Sequence, residues 1–436
     1  DGFIDNQGNF GADGIVGPHH EKEGSFYTIK QLWSPVQIMN TSVDKQFDGK
    51  FSVENRYDFL NLNTCRFLWK QVKFPTATDA SNTTAQVLKQ GEVQGSDVAA
   101  HSAGVLDIKT TILPDADALF LTAIDRYGHE LWRWTFPVNK LNQANEVLSP
   151  LSNKVTSTET ENELTVKAKN HTFIFSKKDG QLKGVSVNNR KISFANGPRF
   201  IGARRADRSL DQFYNHDDEK AKEKDRTYSE FPDAAVFTKL DVKEDGGNLI
   251  VTANYKLGNL DKVQWTINPN GEAVLDYTYN FSGVVDLMGI CFDYPEDQVI
   301  SKRWLGAGPY RVWQNRIHGT QYDVWENDYN DPIPGETFTY PEFKGYFGSV
   351  SWMNIRTKEG TISLTNETPD AYIGVYQPRD GRDRLLYTLP ESGISVLNVI
   401  PPVRNKVNST DLCGPSSQPK WVNGPQSGRI IFRFME

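Results

Sequence analysis

The sequence predicts an all-β protein, in which an immunoglobulin-like β-sandwich precedes a large antiparallel β-supersandwich. Three observations carry that prediction. Side chains alternate through long stretches, as where Cys65, Phe67 and Trp69 interleave with Arg66, Leu68 and Lys70, and a period of two puts each set on its own face of a strand. Turn dipeptides, Asp179-Gly180 and Asn188-Asn189 among them, stand where a tight hairpin needs positive φ. From residue 155 onward there is neither sustained helical periodicity nor a repeat of fixed period.

The chain has 436 residues, which would ordinarily make about three domains at ~150 residues each. The 48 basic and 55 acidic side chains leave a net charge of −7. No basic run stands out, which argues against nucleic acid or an anionic membrane as a partner. Cys65, Cys291 and Cys413 are odd in number and far apart, so they define neither a disulfide framework nor a thiolate metal site, and each reads as a small buried side chain. No apolar run approaches the ~20 residues that a membrane span requires. The chain starts at Asp1 with neither Met nor a signal peptide, from which an upstream segment, removed or left out, is expected.

Residues 1–36 come first. Asp1 to Asp13 is Gly-rich and polar, a loop by composition, and Gly14-Ile15-Val16 is a short strand candidate. Ser25 then precedes Phe26, Ile29, Leu32 and Trp33 at helical spacing, and Pro35 ends the run. Such a piece cannot bury its apolar stripe alone. Residues 37–147 follow, with about seven short strands expected. Phe51 and Val53 share a face, Ala118 to Ile124 is an apolar run, and Trp132, Trp134 and Phe136 oppose Arg133 and Thr135. Asp125 to His129 is read as their hairpin connection and Thr76 to Thr84 as a polar loop. Asn139 to Lys154, aperiodic and holding Pro150, is the linker.

The third region, residues 155–436, has strand signals at Thr172 to Ser176, Gln181 to Val187, Val251 to Lys256, Val274 to Phe281 and Tyr372 to Gln377. Asp207 to Asp233 is dense in both charges, and Asp217 to Arg226 within it reads as a solvated helix or loop. Trp304 to Arg316, WLGAGPYRVWQNR, is unlike the rest: it joins three aromatics, two arginines, two glycines and Pro309. Its expected form is a rigid turn, with rings either facing a polyol or plugging the end of a sandwich. Val407 to Trp421 is a long Pro- and Gly-bearing loop before a final strand, Arg429 to Phe434.

The run Trp304, Leu305, Gly306, Gly308, Pro309, Trp313, Asn315 and Arg316 resembles the last domain of the β-galactosidases of glycoside hydrolase family 2, a large β-sandwich. At the other end, Phe10, Gly11, Ala12, Asp13, Gly14, Ile15, Val16, Pro18 and His19 are similar to the closing unit of that family's catalytic barrel. The resemblance implies that residues 1–36 are a short α/β remnant of a TIM barrel, 37–147 a spacer sandwich, and 155–436 the small-chain domain. In related galactosidases the aromatic's carbonyl and an Asn side chain help to hold a cation beside the sugar's 6-hydroxyl. Carried over, Phe10 and Asp13 border the substrate and hold that cation, Na+ or Mg2+ in the whole enzyme. Asp in place of Asn adds a negative charge there. Asp13 before Gly14 is also an ordinary turn cap, and His19-His20 an ordinary solvated turn.

In the galactosidases a loop placed like Val407 to Trp421 carries a Trp platform for the sugar. The matching position falls at Leu412 or Cys413, neither aromatic, which bears on the preference for galactose. Asp411 can accept a hydrogen bond from a sugar hydroxyl or cap an Asx turn, while Trp313 and Arg316 are the motif's own candidates for substrate contact. A retaining glycosidase needs two carboxyl groups ~5–5.5 Å apart. Both glutamates of that family lie upstream of the matched segment, and Glu21 and Glu23 fit neither motif.

The resemblance therefore implies no catalytic residue here. It implies a non-catalytic C-terminal fragment of a retaining β-galactosidase-like hydrolase, contributing carbohydrate contacts and structural support. Its partners would be an oligosaccharide or β-galactoside and the missing N-terminal catalytic part, in a homo-oligomer, with a periplasmic or secreted location. An independent carbohydrate-binding module using the aromatics of Trp304 to Tyr329 is an alternative from a different class, and a ligand-free scaffold a third.

Overall fold

A computed structural model describes residues 15–16, 20, 22, 24–79, 84–138, 154–205, 228–327, 345–368, 370–375, 390, 392–402 and 414–436. The chain divides into two compact units, one of Asp1–Gln143, Leu305–Tyr310 and Ile317–Trp325, the other of Ala144–Trp304, Arg311–Arg316 and Glu326–Glu436. The linker expected over 139–154 and the charged segment from 207 lie almost wholly outside the described residues. Among the described residues no helix is long and apolar enough to cross a membrane.

The first unit opens with helix α1 (Gly24–Leu32), where helical spacing predicts one. Thr28 Oγ1 lies 3.1 Å from the Gly24 carbonyl one turn back. Pro35, which has no N–H and fixes φ, follows directly and cannot extend the helix. The strand expected at Gly14–Val16 is met only by an isolated bridge between Val16 and Lys22.

Seven strands then follow. These are β1 (Val36–Ile38), β2 (Lys50–Asn55), β3 (Arg66–Lys73), β4 (Gln86–Gln94), β5 (Ser102–Asp107), β6 (Ala118–Ile124) and β7 (Glu130–Pro137). They form two antiparallel sheets, ordered β1-β2-β5 and β4-β3-β6-β7. The alternation read in the sequence sets their inner faces. Phe51 and Val53 of β2, Phe67 and Trp69 of β3, and Phe136 of β7 are buried together, each contributing about 1.5–3 kcal/mol relative to exposure. Phe51 and Phe136 meet with ring centroids 5.1 Å apart. The near-continuous apolar run of β6 fits a strand flanked by β3 and β7 and buried on both faces.

From residue 154 on, the chain supplies β8 (Thr156–Glu159), β9 (Glu163–Ala168), β10 (His171–Ser176), β11 (Leu182–Val187), β12 (Arg190–Ile192), β13 (Ala195–Arg205) and β14 (Tyr228–Glu230). Next come β15 (Val236–Asp245), β16 (Asn248–Lys256), β17 (Leu260–Ile267), β18 (Ala273–Val285), β19 (Leu287–Asp293) and β20 (Val299–Gly308). The last are β21 (Gln321–Asn327), β22 (Trp352–Thr357), β23 (Gly360–Asn366), β24 (Tyr372–Val375), β25 (Ile394–Val399) and β26 (Lys420–Met435). A ten-stranded sheet runs β24-β25-β19-β13-β11-β10-β9-β8, with β12 beside β11 and β14 beside β13. A nine-stranded sheet runs β15-β16-β17-β18-β26-β23-β22-β20-β21.

Aromatics fill the space between these two sheets. Phe175 faces Trp265 at 6.2 Å, Phe292 faces Phe432 at 5.6 Å, and Phe200 faces Tyr279 at 5.3 Å, one ring from each layer. The molecule is thus all-β apart from α1 and short turns, with large antiparallel sheets and no closed barrel among the described residues.

Two expectations change. The Trp304–Gly308 part of the motif is the end of strand β20, and the chain bends only from Pro309 on. The last strand starts at Lys420 instead of Arg429. Pro425 is tolerated there because β23 reaches only as far as Ile430, leaving β26 with β18 alone. The Asn280 opposite Pro425 turns its own N–H away, to the Asn259 carbonyl, so no ladder bond is lost at that position.

Candidate functional site

The Trp304 to Trp325 stretch is shared between the two units. In the first unit, Leu305–Tyr310 and Ile317–Trp325 pack with α1. Tyr310 Oη donates to the Lys22 carbonyl at 2.8 Å, and its ring lies 4.9 Å from that of Tyr27. Thr28 Oγ1 donates to the His318 carbonyl at 2.8 Å, and the Gly319 N–H to Gln31 Oε1 at 2.6 Å. A Cβ on Gly308 would lie 2.4 Å from the Trp325 ring, so the missing side chain makes the slot in which that indole sits. Trp325 Nε1 then donates to the Gly306 carbonyl at 3.2 Å.

Within the second unit, residues 311–316 form a tight turn held on three sides. Val312 exchanges main-chain bonds of 2.7 and 2.9 Å with Tyr346, and Trp313 exchanges bonds of 3.3 and 2.9 Å with Arg316. The Gln314 N–H donates to the Pro401 carbonyl at 3.1 Å. Gly345 allows the close approach: at φ +59° a Cβ would lie 2.9 Å from both Arg311 Cβ and Trp313 Nε1.

The turn's side chains grip the described end of the long C-terminal loop. Gln314 Nε2 donates to the Ser416 carbonyl at 3.0 Å and to the Gln418 carbonyl at 2.6 Å, and Asn315 Nδ2 donates to Ser417 Oγ at 2.9 Å. The loop end has its own 3₁₀ turn, Pro415–Ser417, with proline at its first position. Two stretches singled out in the sequence thus meet here, though they lie about a hundred residues apart in the chain.

Behind the turn lies a core of Ile201, Ala203, Leu287, Cys291, Val312, Trp313, Tyr346, Leu397 and Ile400. Trp313 is 4% exposed and meets Tyr346 edge-on at 5.4 Å. Burial pushes the Cys291 thiol up to about 11, against the pull of the Arg199 guanidinium, whose Nη2 stands 3.7 Å from Sγ. Burial, with Asp370 second, also raises the Tyr372 hydroxyl above its ordinary value.

Three cations surround the neighbouring rings. The Arg311 guanidinium lies 5.2 Å from the Phe347 centroid, Lys302 Nζ 6.0 Å from the same ring, and Arg303 5.3 Å from Trp352. Trp304, fully buried, stands edge-on to Phe347 at 4.9 Å. Lys302, Phe347 and Trp352 are buried, so these cation–ring contacts belong to the packing behind the turn.

Of the residues picked from the sequence, Arg316 lies exposed at the turn and Trp313 lies in the core. Phe10, Asp13 and Asp411 lie outside the described residues. Among the described residues no group of three or more His, Cys, Asp or Glu is placed to hold a metal ion. Gly345 and Tyr346 fall in Tyr340 to Phe347, a stretch that the sequence also marks as a turn entering a strand, but sequence reasoning misses Gln314. Gln314 sits between two better-looking candidates, and its role depends on carbonyls a hundred residues away that no local pattern announces.

No curated protein sequence matches the chain. Solved structures similar to it include HI1317, with a TM-score of 0.31 and 9% identity over 65% of this chain and 100% of that one. Another is the galactose 1-epimerase from Lactobacillus acidophilus NCFM, with a TM-score of 0.32 and 10% identity over 65% of this chain and 98% of that one. The family model described as Beta galactosidase small chain matches residues 167–399, more than half of the sequence. That span takes in β10 to β25, the Trp304 motif and the 311–316 turn, and the chain belongs to the β-galactosidase small-chain family.

Proposed function

We propose that the chain is a non-catalytic part of a retaining β-galactosidase-like glycoside hydrolase of family 2, completing the rim of a sugar pocket whose carboxylates are supplied elsewhere. The observation that carries it is the bond set from Gln314 and Asn315 to residues 416–418. It ties the family's motif to the loop that bears Asp411. In this reading Arg316 donates to sugar hydroxyls and Asp411 accepts from them. Trp313 acts from within the core, fixing the turn without touching the ligand. By the resemblance, Phe10 and Asp13 also contribute to binding the sugar and its cation in the whole enzyme. Cleavage itself requires the pair of carboxyl groups ~5–5.5 Å apart that retaining enzymes use.

The test is kinetic. The chain alone should not turn over a nitrophenyl β-galactoside. In the whole enzyme, Arg316→Ala and Asp411→Ala should each raise KM about tenfold with a smaller change in kcat, as loss of ground-state binding predicts. Turnover by the chain alone at an enzymic rate, or an unchanged KM in both variants, would refute the proposal.

A further inference from the structure

We propose that strand β15 pairs with β15 of a second copy of this chain, antiparallel about a two-fold axis at Val242, so that two nine-stranded sheets join edge to edge. β15 ends the sheet order, and among the described residues nothing is hydrogen-bonded to its outer side. It is ten residues long and almost wholly exposed, Val242 included. An open strand of that length offers a row of unanswered main-chain donors and acceptors.

The register follows from the hairpin. Gly246 and Gly247, at φ +57° and +90°, form the two-residue turn that leaves Asp245 opposite Asn248. The closing pair of such a hairpin is a hydrogen-bonded one. By alternation, Asp245, Lys243 and Asp241 direct their main-chain groups toward β16, and Glu244, Val242 and Leu240 direct theirs outward. An antiparallel partner must set outward residues opposite one another, so the axis passes through a residue and never between two.

Charge and the bulge then select the residue, since an axis at Leu240 would pair Lys239 with Asp241 but bring the irregularity between Phe237 and Lys239 into the ladder. An axis at Asp241 sets Asp241 against itself and Lys239 against Lys243; one at Lys243 sets Lys243 against itself and Asp241 against Asp245. An axis at Val242 sets Asp241 against Lys243 and Lys239 against Asp245, twice each, with Val242 on Val242 and Leu240 beside Glu244. Opposite charges directly across a strand pair stabilise it and like charges oppose it. Guarded edges commonly carry lysines, proline or a bulge that bends the edge away. Here the only bulge, between Phe237 and Lys239, lies outside the paired stretch. The signs alternate and the strand has no proline.

The pairing concerns a single strand from each copy, so a modest, concentration-dependent dimer is expected. Sedimentation velocity of the chain, from nanomolar to high micromolar, should show monomers passing to dimers, more readily at low salt. Asp241→Lys and Lys243→Asp, both at exposed positions, should each weaken dimerisation roughly tenfold or more, because each creates two like-charge pairs. An equimolar mixture of the two variants should dimerise as tightly as the wild type. In the mixed dimer one copy is positive at both positions and the other negative at both, so each pair across the axis is again opposite in sign. Circular dichroism checks that both variants are folded. A wild-type chain that stays monomeric throughout, single variants that dimerise as tightly as wild type, or a mixture no tighter than either variant alone would each overturn the pairing. None of these outcomes bears on the hydrolase assignment.

Discussion

Replacing Trp313 by alanine separates a positioning role from direct contact with sugar. The indole is 4% exposed and packs edge-on against Tyr346 in a cluster of buried side chains. Truncating a buried Trp costs about 3–5 kcal/mol, of which the aromatic pair accounts for about 0.5–1.5. The upper half of that range is expected, because one wall of the site is the Gly345 backbone, held by the Val312–Tyr346 bonds and unable to collapse into the void. Urea unfolding followed through the second unit should show a midpoint lowered by that free energy divided by an unchanged m-value. Trp313→Phe keeps a ring against Tyr346 and should recover part of the loss. A cost below about 0.5 kcal/mol, the range of ordinary surface substitutions, would refute the core placement and return Trp313 to the ligand surface.

Gln314→Ala removes two donated bonds, to Ser416 and Gln418. It should cost about 1–3 kcal/mol and speed amide exchange at residues 414–418 by at least tenfold, which hydrogen-exchange mass spectrometry would read; unchanged exchange there would sever the turn from the loop. The Cys291 thiol, raised by burial from 9.0 to about 11, is held neutral by the fold, so its contribution is complete below about pH 9 and lost as pH rises toward 11. At 1.36 kcal/mol per unit this amounts to about 2–3 kcal/mol. Denaturant midpoints between pH 8 and 11 should fall more steeply for the wild type than for Cys291→Ala, and equal slopes would remove Cys291 as the cause.

Much of the fold was legible because the period of two is a direct consequence of half-buried strands. The interleaving at 65–70 became β3 with Phe67 and Trp69 inside, and the Asn188-Asn189 pair took φ +48° and +65° between β11 and β12. The N-terminal half of β26 was not legible, since Gly424, Pro425 and Gly428 signal a loop unless one knows that a single neighbour, β18, accompanies them. The motif's glycines mislead in a similar way. They suggest a bend, while at Gly308 the absent side chain is answered by an indole seventeen residues further on. The candidate site was half legible: composition pointed to the Trp304 motif and to the loop before β26, but the bonds joining them depend on tertiary approach.

The threading of residues 305–325 has a consequence for how the molecule is made. Helix α1 receives its partners Tyr310, His318 and Gly319 from a segment synthesised almost three hundred residues later. The seven strands draw their shared core from residues 36–138 alone, whereas α1 is completed only by the later segment. The helix must wait, lacking those partners, until the chain has been translated past Trp325. A truncation after Gln143 would for the same reason leave α1 without Tyr310, His318 and Gly319.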